Sequence, residues 1–180
     1  MKAILQLLAV FGGIVFLVAL HVGSSYILPY PWSKVNLILT ALILVMMWRN
    51  TGLIVWIAFF AYFFIELYTT TPFGVVLFSG TISILLTYWL YKHWFTNRSW
   101  YSATALCFFS LTIFRLIYMV CLVLLGIFDL ITFIPWTKII TTWLWEIALT
   151  LPLMAITYFI LSRFSKNLGS LAVERSIFRV

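Results

Sequence analysis

Acidic side chains are nearly missing from this sequence: four Asp and Glu stand among 180 residues, against eleven Lys and Arg, and charged residues of both signs make up only 8%. A soluble globular domain carries about a quarter charged residues, so this supply, set beside 65% hydrophobic residues and a mean hydropathy of +1.16, excludes a water-soluble fold. Cysteine is scarce as well. Cys107 and Cys121 fall within one apolar run, without the spacing of a metal site or a disulfide framework, and read as small apolar packing residues. Neither His21 nor His93 has a partner at ligand spacing, there is no HExxH helix and no Gly-rich phosphate loop, and no serine dyad stands out within the apolar runs. The expectation is a protein that is not an enzyme and that holds no metal or other cofactor. The basic residues sit at the ends of apolar runs instead of on one face, which argues for membrane topology and against nucleic acid.

What is present is a series of apolar segments, over residues 3–20, 35–48, 52–67, 73–91, 103–126 and 139–161. Several approach or exceed the ~20 residues that carry a helix across a bilayer, and no period-two alternation suggests a barrel. The expected fold is therefore an all-α membrane protein, a six-transmembrane-helix bundle over residues 1–162 followed by a basic cytoplasmic tail over 163–180. The second and third segments are short, which protein shielding or their Trp and Tyr ends can accommodate. The first segment resembles a signal peptide in having a single lysine before an apolar stretch, but it runs on to Leu20 and more spans follow, so an uncleaved span is expected.

With six crossings and a cytoplasmic N-terminus, Lys2, Arg49, Lys92, Arg98, Arg163, Lys166, Arg175 and Arg179 fall inside and only Lys34 and Lys138 outside. That bias obeys the positive-inside rule, whereas fusing segments two and three into one span would bury Arg49. Trp32, Trp48, Trp94, Trp100 and Trp136 lie near the proposed boundaries, where aromatic belts form. The tail is expected to lie on anionic membrane lipids, with helix no longer than about two turns.

The stretch FFIELYTTTPFG, residues 63–74, places a carboxylate, three threonines and a proline between two apolar runs. It reads as an external turn in which Thr71 caps the fourth helix, Pro72 opens it, and Gly74 allows close helix approach. Along that helix, Ser79, Gly80, Thr81, Ser83 and Thr87 form a small, polar strip suited to packing, either within the bundle or against a partner.

Arg115 interrupts an apolar run far from either end. A charge there costs at least about 2.5 kcal/mol on insertion scales, so it must face inward and be paired. The candidates are Glu66 and Glu146, the latter about 10 Å deep at ~1.5 Å per residue. Such a pair can fix helix rotation, serve a polar ligand pocket, or meet a partner's helix. His21, His93 and Asp129 read as solvated residues at helix ends.

An acidic residue closing a short third span that begins with Gly52, then Pro72, Phe73 and Gly74 opening the fourth, then a basic inner loop, is similar to the rod-shape-determining family MreD. The chain departs from that pattern in using Glu66 where aspartate is usual and in lacking a second glycine in the third helix. The resemblance implies a non-enzymatic scaffold of the bacterial cell-elongation machinery in the inner membrane, with both termini cytoplasmic. Its implied partners are an MreC-like single-span protein and the peptidoglycan synthesis complex. Because MreD-like proteins share a six-helix fold with the substrate-binding subunits of energy-coupling-factor vitamin transporters, such a subunit is the alternative. In it, Glu66, Arg115, Glu146 and Trp143 would line a vitamin cavity.

Overall fold

The computed structural model describes residues 2–49, 52–95, 99–129 and 135–177. They form six helices: α1 (Lys2–Ile27), α2 (Leu37–Arg49), α3 (Leu53–Glu66), α4 (Val75–His93), α5 (Trp100–Ile127) and α6 (Trp136–Ile177), with a 3-10 turn over Trp32–Lys34. Each helix coincides with one apolar segment. Helices are what such segments must form in lipid, where every backbone N–H and C=O needs a partner within the protein.

Among the described residues, four stretches are long and apolar enough to cross a membrane: Leu8–Ile27, Val75–His93, Trp100–Ile127 and Trp136–Arg163. At 13 and 14 residues, α2 and α3 are shorter. At ~1.5 Å per residue they reach about 20 Å against a hydrocarbon core of about 30 Å.

α2 touches α1, α3, α5 and α6, and Ile38, Leu39, Leu42, Ile43, Met46 and Met47 are buried along it. A helix so enclosed by protein has little lipid-facing surface to match to the bilayer. The most extensive interfaces are between neighbours in sequence, α3 with α4, α4 with α5, and α5 with α6. The outside is apolar and aromatic, with Phe16, Trp56, Phe78, Leu116 and Phe159 exposed, while Ser79, Ser83, Thr87, Ser110 and Thr150 are buried. That inversion of the soluble pattern suits a chain whose solvent is lipid.

Two expectations change here. α6 continues as helix to Ile177, well past two turns of tail, because extending an existing helix avoids the nucleation that a separate short helix must overcome. The fourth helix begins at Val75, with Gly74 as its N-cap, so Thr71 and Pro72 belong to the turn before it. Arg98 and Arg179, used in the charge count, lie outside the described residues, as do the side chains of Lys2, Arg49, Lys166 and Arg175.

Candidate functional site

Arg115 finds its counter-ion on α6. Its Nε and Nη2 donate to Glu146 Oε2 at 2.8 and 2.6 Å. Glu66 is not joined to it, so of the two candidate carboxylates the pair uses Glu146. The other oxygen, Oε1, accepts from Asn36 Nδ2 at 2.9 Å. Asn36 in turn caps α2, its Oδ1 accepting from Leu39 N at 3.0 Å, and its own N–H donates to Thr150 Oγ1 at 3.1 Å. The network thus ties α2, α5 and α6 together, and both carboxylate oxygens are used. Phe114 and Tyr118 flank the guanidinium at 5.7 and 5.8 Å from their ring centroids, covering the charge with π faces.

Glu66 has a different task. It is 4% exposed, and its Oε1 and Oε2 accept from Gly74 N at 3.0 Å and Leu77 N at 2.5 Å. These are among the N–H groups that the start of α4 would otherwise leave unpaired, and a carboxylate there also meets the positive end of the helix dipole. Gly74 adopts φ +101°, a conformation glycine reaches without steric cost, and a β-carbon there would meet nothing within 4 Å. Its role is therefore the turn and not the close helix approach expected of it.

The small strip faces inward. Ser79, Ser83 and Thr87 have no exposed surface, and Ser83 Oγ lies 3.2 Å from both the Ser110 carbonyl and the Ser110 hydroxyl on α5. At Gly80 a β-carbon would overlap the ring of Tyr62 on α3. Packing within the bundle uses this strip, and of its members only Thr81 leaves a buried hydroxyl without a partner among the described residues.

Beside the α3–α4 turn lies a cavity of about 360 Å³, bounded by Arg115, Glu146, Asn36, Tyr62, His21 and Thr71 among others. His21 was expected at a solvated helix end. Instead α1 runs six residues further, to Ile27, and His21 is half-buried in the cavity wall. Glu66 and Trp143 are not in that wall. Asp129 and His93 are exposed, as expected, His93 Nδ1 lying 2.9 Å from the Trp89 carbonyl. Cys107 is buried in the main core, and Cys121 is half-buried against a smaller cluster of Val75, Leu122 and Ile139. Sequence reasoning missed Asn36, although an Asn directly before an apolar run is a helix-start signal. It also missed Tyr62, for which the only clue was the glycine that makes room for it.

Fold and site together define an all-α, multi-pass membrane protein with a charge-paired polar centre and a cavity beside it. No family model matches the chain, and no curated protein or solved structure does either.

Proposed function

We propose that this chain is a non-enzymatic membrane scaffold of the bacterial cell-elongation machinery, in the manner of MreD, crossing the inner membrane six times with both termini in the cytoplasm. The observation that carries the reading is the joining of Glu66 to Gly74 and Leu77. The residues on which the resemblance rests include the acidic end of the third helix, Glu66, and the Pro72, Phe73 and Gly74 that lead into the fourth. Here they serve one physical purpose, a capped turn between two helices, so they belong to a single structural unit. In this reading the paired Arg115 and Glu146 hold helix rotation, and the apolar exterior is offered to lipid and to a single-span partner. The short α2 and α3 cross by virtue of the protein around α2 and the aromatic ends of both.

The test is affinity purification of the tagged chain from its native cells in mild detergent, followed by mass spectrometry. Co-purification of peptidoglycan synthesis and cell-shape proteins is the expected result. Recovery of a transmembrane coupling subunit with paired ATPases would replace this reading with that of a transporter's substrate-binding subunit.

A further inference from the structure

Tyr62 is 2% exposed, yet its hydroxyl has no hydrogen-bond partner among the described residues. The same is true of the buried Thr71 Oγ1 and His21 Nδ1, and all three residues line the one cavity beside the α3–α4 turn. An unmade hydrogen bond at a buried polar atom costs about 1–3 kcal/mol. Three such atoms around one space form a convergent set, unlike scattered defects.

The remaining walls narrow the chemistry. Arg115 and Glu146 neutralise each other, and both Glu146 oxygens already accept hydrogen bonds, so the cavity presents no net charge. A bound anion would lie against the Glu146 carboxylate, and a bound cation against the Arg115 guanidinium. An apolar wall comes from Ile65, Val76, Phe114 and Tyr118, with the Phe114 ring held between Tyr62 at 5.9 Å and Tyr118 at 6.2 Å between centroids. A volume of about 360 Å³ is toward the lower end of the ~300–1,000 Å³ of small-molecule sites.

We infer that this cavity binds an uncharged small molecule that carries two or three hydroxyl or amide groups. Those groups bond to Tyr62, Thr71 and His21, and the apolar remainder of the molecule lies against the apolar wall. The site goes beyond the scaffold reading and stands whichever proteins the chain assembles with. It also differs from the cavity expected of a transporter subunit, since Glu66 is committed to the start of α4.

The experiment is thermal unfolding of the full-length protein in detergent with three neutral probes, glucose, N-acetylglucosamine and uridine, and one charged control, glucose 6-phosphate. Tyr62→Phe and Thr71→Val are measured beside the wild type. Neither substitution removes a hydrogen bond seen among the described residues, and the first keeps the ring against Gly80. The expected result is a concentration-dependent rise in Tm with at least one neutral probe, weakened about fivefold in apparent affinity by each substitution, with no rise from the phosphate. No rise with any neutral probe, or a rise undiminished in both variants, would overturn the site. Equal stabilisation by glucose 6-phosphate would overturn its neutral specificity.

Discussion

Gly80 of α4 and the ring of Tyr62 of α3 occupy adjoining space so closely that a β-carbon on residue 80 would overlap the ring's Cγ and Cδ atoms. Gly80→Ala is therefore expected to lower stability by about 1–3 kcal/mol through overpacking. Tyr62→Ala in the same chain should return part of that loss, since it removes the obstructing ring. Thermal unfolding of the two single variants and the double gives the coupling, and strict additivity would show that the overlap is relieved elsewhere.

Arg115→Leu leaves Glu146 buried and without its counter-ion, at an expected cost of about 3–5 kcal/mol. Adding Glu146→Gln should recover part of the loss, while adding Glu66→Gln should recover none. Unfolding midpoints of the four variants decide this. Rescue through residue 66 would contradict the observed pairing.

Glu66→Ala deprives two backbone amides of their acceptor, so hydrogen exchange at Gly74 and Leu77 should quicken while that of α5 stays unchanged. The stability cost expected is about 1–2 kcal/mol, as for other lost helix caps. Glu66→Gln should be intermediate, because an amide keeps one acceptor oxygen where the carboxylate offers two. Unaltered exchange at both amides would remove the capping role.

Much of this architecture was legible in the sequence because lipid leaves few choices. Apolar runs become helices, and Arg115, set deep in one of them, must find an opposite charge. The choice of Glu146 over Glu66 was not legible, since a long arginine side chain can reach outward toward either and helix rotation decides which one faces it. The task of Glu66 was hidden for another reason. Capping rules look to the residue beside the helix, whereas this carboxylate acts across a turn, on amides eight and eleven residues away. His21 was misread because hydropathy falls there while the helix goes on to Ile27.

Topology is open to direct labelling. In a background with Cys107 and Cys121 replaced by alanine, single cysteines at Ser33 and Thr70 should react with an impermeant maleimide added outside the cell. Cysteines at Thr51 and Asn97 should react only after permeabilisation. Labelling of Thr51 from outside would mean that α2 and α3 enter and leave on one side, and would end the six-crossing proposal.

The partners of Arg115 have an order in time as well as a place. Glu146 lies 31 residues further along the chain than Arg115, so α5 leaves the ribosome with its guanidinium unmatched. Asn36, made 110 residues before Glu146, waits longer still for that carboxylate. The turn governed by Glu66 completes its bonds within 11 residues, as soon as α4 begins. Until α6 arrives, α5 carries a charge that the membrane disfavours, and α6 is the latch that holds it in place.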